Sequence, residues 1–237
     1  MRDKLFSKKN NLTNFKFNKS VADVFDDMVK RSVPGYQSML ELIGLSVREY
    51  GKNNTNYFDL GASTGASSLA LGLNNIHINN NIIAIDNSKE MTKKCKKNLQ
   101  NKIDNISVIC ADIQDIKITN ATVTVLNLTL QFIEPSKRQK LIDNIYKGLN
   151  SKGVLIIFEK IHFDNKIKQE QITKLHLDFK LANGYSKLEI GAKRKALENI
   201  LITDTKKTHC NRLKKAGFKN ITCCFQYLNF ASFLAVK

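Results

Sequence analysis

The stretch Tyr57-Phe58-Asp59-Leu60-Gly61-Ala62-Ser63-Thr64-Gly65-Ala66-Ser67 decides the fold. A short apolar run carrying an acid and ending in a glycine-rich turn reads as a buried strand that feeds a helix. The helix follows over 66–74, with Ser63 or Thr64 available to cap it. A glycine just past the strand permits positive φ and lets the backbone approach a ligand closely. The N–H groups of the turn and the helix N-terminus then offer partial positive charge to an anionic or polar group. Ser63 sits where the dinucleotide fingerprint has its second glycine, so a ligand without a pyrophosphate fits better. A purely structural turn, shaped by Gly61 and Gly65 alone, has the same pattern, and the rest of the chain decides between the two.

Outward from that turn, apolar runs and helical patterns alternate. Ile82 to Asp86, Ile106 to Cys110, Thr122 to Asn127 and Val154 to Phe158 read as further strands, with helices over 88–101 and 136–149. Strands that are apolar throughout and separated by helices imply a parallel sheet covered on both faces. Upstream, residues 1–20 read as an irregular arm, and apolar positions 21, 24, 25, 28 and 29 give a helix over 21–30. Pro34-Gly35 breaks it, and a second helix runs over 37–50, so Tyr36 sits at a junction from which it reaches either a pocket or the core. Downstream, residues 160–207 interrupt the alternation with mostly helical sequence rich in Lys, Leu and Ile. This insertion is expected over the carboxyl edge of the sheet or against a partner. A helix over 208–216 ending at Gly217, then strands over 221–225 and 230–236, close the chain. The expectation is one Rossmann-like α/β domain over 1–237 with a mostly parallel seven-stranded sheet, an arm and helices over 1–50 and the insertion over 160–207.

With 237 residues and 42% hydrophobic content, the chain can bury one good core. No apolar run approaches a membrane span and the N-terminus is polar and basic, so a cytoplasmic protein is expected. Five cysteines without a C-x-x-C spacing read as reduced and mostly buried, and four dispersed histidines make a metal site unexpected. The net charge of +17 invites a nucleic-acid reading, but only six of the 38 basic residues are arginine. The lysines are spread along the chain apart from Lys93-Lys94-Cys95-Lys96-Lys97, which favours a solvated lysine surface over direct tRNA binding.

Ligands of open α/β sheets bind beyond the carboxyl ends of the strands. Asp86 ends the second strand, where an acid can accept both ribose hydroxyl protons or merely cap the next helix; Asn87 beside it adds a donor and an acceptor. After the third strand, Asp112 can accept from an adenine amino group while Ile113 covers the ring, unless it is an ordinary turn aspartate. Asn127 ends the fourth strand, and a buried strand ending in Asn needs a partner for its amide. Suitable polar groups at four strand ends, with no pyrophosphate cradle, point to S-adenosyl-L-methionine.

Longer motifs extend this. Arg31-Ser32-Val33-Pro34-Gly35-Tyr36, Ala84-Ile85-Asp86-Asn87-Ser88, Thr129-Leu130-Gln131-Phe132 with Glu134-Pro135-Ser136, Ala182-Asn183-Gly184-Tyr185-Ser186, Leu188-Glu189-Ile190 and Leu197-Glu198-Asn199 cover nearly the whole chain. Together they closely resemble the carboxy-S-adenosyl-L-methionine synthases, bacterial proteins with the class I S-adenosylmethionine-dependent methyltransferase fold. The resemblance implies conversion of S-adenosyl-L-methionine and prephenate to carboxy-S-adenosyl-L-methionine and phenylpyruvate. A separate tRNA carboxymethyltransferase, a further partner, would then use the product on 5-hydroxyuridine at the tRNA wobble position. It places ligand contacts on Tyr36, Gly61, Ala62, Ser63, Asp86, Asn87, Asp112, Ile113 and Asn127, and on Arg194 reached from the neighbouring subunit of a homodimer. Tyr36 and Arg194 would receive the product carboxylate in a desolvated pocket. No protein base is implied: prephenate loses carbon dioxide and hydroxide as it aromatises, hydroxide takes a proton from the sulfonium methyl, and the ylide captures the carbon dioxide. The chain departs from the family pattern at Ala62, where Cys is usual, at Leu177 beside His176, and at Leu181 in place of a basic residue. Two other readings compete: an ordinary methyltransferase acting on tRNA or a small molecule, and a non-catalytic adenosylmethionine-binding partner of a tRNA-modifying complex.

Overall fold

In the computed structural model, which describes residues 2–7 and 15–237, two helices precede the alternating part of the chain: α1 (Lys19–Ser32) and α2 (Tyr36–Tyr50). The expected N-terminal arm falls partly outside the described residues, but Phe6 and Phe15 are buried against α1. α1 starts where the Asn18 side chain accepts from the Val21 N–H, satisfying one of the free donors of its first turn. Gly35, at φ +73, turns the chain from α1 into α2.

The alternating part comprises β1 (Asn56–Leu60), α3 (Ala66–Leu73), β2 (Asn81–Asp86), α4 (Lys89–Leu99), β3 (Ile106–Cys110), β4 (Ala121–Asn127), α5 (Pro135–Gly148) and β5 (Leu149–Lys160). After α6 (Lys166–Ala182) and α7 (Lys187–Leu197), the chain ends with α8 (Lys206–Ala216), β6 (Asn220–Tyr227) and β7 (Phe230–Val236). The sheet order is β3-β2-β1-β4-β5-β7-β6, with β1 to β5 parallel and β7 antiparallel to both its neighbours. Successive side chains of β1 alternate between two cores: Tyr57 joins one, Phe58 and Leu60 the other. A strand buried on both faces has no polar side to present, which is why it reads as a continuous apolar run. The order reverses between β1 and β4, so the carboxyl ends of these strands flank the crevice where such sheets bind ligands.

Three details differ from the sequence reading. α3 is not capped by Ser63 or Thr64; its N-cap is Gly65, at φ +93, and the Thr64 hydroxyl donates instead to Asp26 Oδ1 at 2.6 Å. β5 begins at Leu149, not at Val154, because the chain leaves α5 directly into the strand and the turn residues Ser151 to Gly153 stay within it. The cysteines are free, as read, but Cys110, Cys223 and Cys224 are exposed, since β3 and β6 are the two edge strands.

Candidate active site at the carboxyl edge of the sheet

One cavity of about 640 Å³ opens at the carboxyl ends of the strands, and all ten ligand-contact candidates line it. Gly61, Ala62 and Ser63 come from the turn after β1, Asp86 and Asn87 from the end of β2, Asp112 and Ile113 from after β3, and Asn127 from the end of β4. Tyr36 reaches it from the start of α2 and Arg194 from α7. Parallel strands in register deliver these ends to one edge, although the residues are dispersed in sequence.

The glycine turn works differently from the simplest reading of it. A Cβ on Gly61 would lie 2.4 Å from Thr129 Oγ1, and one on Gly65 2.9 Å from Cys95 Sγ. Both glycines also have positive φ, +84 and +93. Packing and backbone conformation therefore both demand them, and Ser63, itself at φ +48, shapes the tip of the turn. The Ser63 N–H donates to Asp86 Oδ2 at 2.9 Å, and the Ser88 N–H donates to Asp86 Oδ1 at 2.9 Å. Asp86 thus ties β2 to the turn and leads into the next helix, and each oxygen retains a lone pair for a ligand hydroxyl. Burial pushes its carboxyl up, and these two donors pull it back.

Asn127 donates from Nδ2 to Ser67 Oγ at 2.9 Å, while its Oδ1 is buried without a partner among the described residues. An orphaned buried acceptor costs about 1–3 kcal/mol, which a ligand donor such as an amino group would relieve. Asp112 turns one oxygen to the Gln114 N–H at 2.9 Å, and Ile113 presents an apolar, buried side chain. These features suit a ligand with hydroxyls, an aromatic ring and an amino group, and S-adenosyl-L-methionine carries all of them.

Beneath the turn lies Asp59, which sequence reasoning passed over as part of an apolar strand. It is fully buried; Ser68 Oγ donates to its Oδ2 at 2.6 Å, and burial pushes its carboxyl up to about 6. Burial, then the nearby Asp59 and Asp26 charges, push the Tyr36 phenol up, so it keeps its proton and acts as a donor. Glu159, near the end of β5, was missed for the same reason. Its Oε1 accepts from the N–H groups of Thr129 (2.9 Å) and Leu130 (2.6 Å), and its Oε2 from that of Gln131 (3.2 Å). Burial pushes Glu159 up to about 8 against the pull of these three donors. It holds in place the loop that follows Asn127.

Part of the cavity lining is basic. Lys160, His176, Lys180, Lys193 and Arg194 all belong to it, and only Arg194 was a sequence candidate. Lys160 had a signal: an apolar strand ending in lysine at the ligand-binding edge. Lys180 and Lys193 had none, because each sits in a lysine-rich helix that reads as solvated. His176 is held neutral, pushed down to about 3 by burial, with Nε2 at 2.8 Å from Ser32 O as the natural donor. Arg194 lines the cavity of its own chain and, in the single chain, is exposed. α7 carries it there because the capping box of Ser186 and Glu189 starts that helix beside the cavity.

A methyltransferase-domain family profile matches residues 58–153, the span from the glycine turn into β5. Human N-acetylserotonin methyltransferase in complex with SAM superposes with a TM-score of 0.61 at 16% identity, over 92% of this chain and 55% of that one. That likeness concerns the fold, which is the class I S-adenosylmethionine-dependent methyltransferase fold. At the level of sequence, the carboxy-S-adenosyl-L-methionine synthase of Pectobacterium atrosepticum is 48% identical over 240 residues, covering 100% of this chain and 97% of its own. The synthase of that name from Ruthia magnifica subsp. Calyptogena magnifica is 65% identical over 237 residues and covers 100% of both chains. With a cavity at the switch point and full-length identity of this order, the chain belongs to the carboxy-S-adenosyl-L-methionine synthase family.

Proposed function

We propose that the chain converts S-adenosyl-L-methionine and prephenate to carboxy-S-adenosyl-L-methionine and phenylpyruvate. The observation that carries this reading is the meeting of Tyr36 and Arg194, far apart in sequence, on the wall of the cavity that holds the glycine turn. In this reading the sulfonium methyl supplies the carbon that receives the carboxyl group. Asp86 and Asn87 orient the ribose, Asp112 and Ile113 the adenine, and Asn127 the amino acid end. Tyr36 donates its retained proton to the new carboxylate, and the Arg194 fork offers two parallel N–H groups from the rim. Phe17 and Phe132, packed edge to face with centroids 5.3 Å apart, line the same cavity and limit entry of bulk water. The protein's contribution is then positioning and exclusion of water.

Mass spectrometry of ligand released from the denatured protein tests the assignment, together with assay of phenylpyruvate from prephenate. Retained carboxy-S-adenosyl-L-methionine and phenylpyruvate production are expected. S-adenosyl-L-methionine alone and no phenylpyruvate would favour an ordinary methyltransferase or a non-catalytic binding partner. Arg194→Ala should lose affinity for the carboxylated ligand by about 10-fold or more while binding S-adenosyl-L-methionine normally. Equal affinity of variant and wild type for the product would remove Arg194 from this role.

The proposal includes a cytoplasmic homodimer whose product serves a separate tRNA carboxymethyltransferase, without direct tRNA binding by this chain. Exposed Ile167, Leu175 and Leu188 on α6 and α7 support an interface formed by the insertion. Light scattering of the purified protein should give twice the 26.9 kDa chain mass; a monomer would end that part of the reading.

A further inference from the structure

Lysines that line a cavity normally face carboxylates or open water. Here Lys160, Lys180 and Lys193 are partly buried on one wall, with Arg194 at its rim. Among the described residues, none of these four has a carboxylate within 4.0 Å. Two glutamates share the cavity lining. Glu189 is occupied by the Ser186 N–H and hydroxyl, both at 2.8 Å, and Glu198 is exposed and lies beyond 4.0 Å from each of these cations. Lys193 donates to Ser32 Oγ at 2.9 Å, which leaves two of its three N–H groups. Its nearest acids are engaged elsewhere: Asp27 with Arg31 at 3.2 Å and Asp3 with the Tyr185 hydroxyl. His176, between these groups, is neutral and adds no negative charge.

A partly desolvated cluster of like charges is unfavourable by itself and becomes favourable only around an anion. One carboxylate would satisfy one or two of these cations, not four. The product carboxylate is already assigned to Tyr36 and Arg194. The remaining three lysines therefore match a second ligand with two negative charges.

We infer that Lys160, Lys180 and Lys193 form the receptor for both carboxylates of the dicarboxylate co-substrate, in the same cavity as the adenosylmethionine residues. This rests on the prephenate reading above and goes beyond it by assigning the residues. Burial first, and then the neighbouring cations, push Lys180 down to about 8 and Lys193 to about 7, while the Asp3 and Asp27 charges pull Lys193 only part of the way back.

The test uses full-length Lys160→Met and Lys180→Met, with Lys180→Arg as the charge-retaining control. Phenylpyruvate formation from prephenate is measured alongside direct binding of S-adenosyl-L-methionine and thermal melting without ligand. Each Met variant should raise KM for prephenate about 10- to 100-fold, the effect of losing a charged hydrogen-bond partner. Adenosylmethionine affinity should stay within about twofold, since none of these lysines is among the residues assigned to that ligand. Lys180→Arg should recover most of the lost affinity. The ligand-free Met variants should melt at or above the wild-type temperature, because an uncompensated charge has been removed. Wild-type turnover with an unchanged KM in the Met variants overturns this inference and leaves the functional reading standing. Lower melting temperatures with lost adenosylmethionine binding also overturn it, because they would give the lysines a structural role. A wild-type protein that consumes no prephenate overturns the functional reading and this inference with it.

Discussion

Replacement of Arg138 by methionine should weaken the fold and loosen the roof of the cavity. This arginine is 1% exposed on α5 and is the hub between the loop after β4 and the end of the insertion. Its Nε donates to Ile133 O at 2.8 Å; Nη1 donates to Asp204 Oδ2 at 2.7 Å, and Nη2 to Ile202 O at 2.8 Å and Gln131 O at 3.4 Å. Breaking a buried ion pair from one side costs about 3–5 kcal/mol. Two features move the figure to the low end. Arg212 stays 2.9 Å from Asp204, and Gln131 O still accepts from the Ile202 N–H at 2.9 Å. The carbonyls of Ile133 and Ile202 are left with a lost partner, at about 1 kcal/mol each, while the methionine stem refills part of the volume. The balance is a loss of about 3 kcal/mol, or about 6–12 °C in melting temperature for a domain of this size. Urea denaturation at constant m-value measures it. Because the insertion brings Lys180, Lys193 and Arg194 to the cavity, KM for prephenate should rise more than the dissociation constant of S-adenosyl-L-methionine. A loss under about 1 kcal/mol, with both constants unchanged, would show that Arg138 does not join these segments. The same reasoning gives a pH signature. Burial works against the Asp204 carboxylate, but the Arg138 bond and Arg212 hold its carboxyl below the usual range. Its contribution is therefore present above the unfolded-state value and fades as pH falls through the folded one, and Arg138→Met should reduce that acid-side dependence to the part held by Arg212.

Two further outcomes follow from the site. Asn127→Ala removes the orphaned acceptor and its tie to Ser67, and should weaken S-adenosyl-L-methionine binding about 3- to 10-fold by calorimetry; an unchanged dissociation constant would mean that the ligand does not use this amide. The ligand-free protein should gain stability as pH rises from about 7 toward the unfolded lysine value near 10.4, because the unfolded chain binds more protons there than folded Lys180 and Lys193 do. The stability difference between wild type and Lys180→Met should accordingly narrow over that range, and a difference independent of pH would contradict the depressed lysine.

Most of the sheet was legible because local rules and tertiary demands agree there. Strands as apolar as Val154 to Phe158 have one stable fate, burial between helices, and a glycine at φ +84 after β1 leaves a side chain no room beside Thr129. Strand ends in α/β folds also converge by topology, so Asp86, Asp112 and Asn127 could be placed together before any distance was known. The same patterns hid Asp59 and Glu159, since one acid in an apolar run carries no mark of whether a hydroxyl or three N–H groups await it.

Sequence by itself determined the sheet, the adenosylmethionine edge and the family, because periodicity and motif are properties of neighbouring residues. Only the tertiary structure decided which of 32 lysines gather on the cavity with no carboxylate among the described residues within 4.0 Å, that Arg194 lines the cavity that holds the glycine turn, and that Arg138 ties the insertion to the sheet. Charge in a lysine-rich chain reads alike at every position until folding sets the distance and solvent exposure between charges, and those two quantities govern what a charge does.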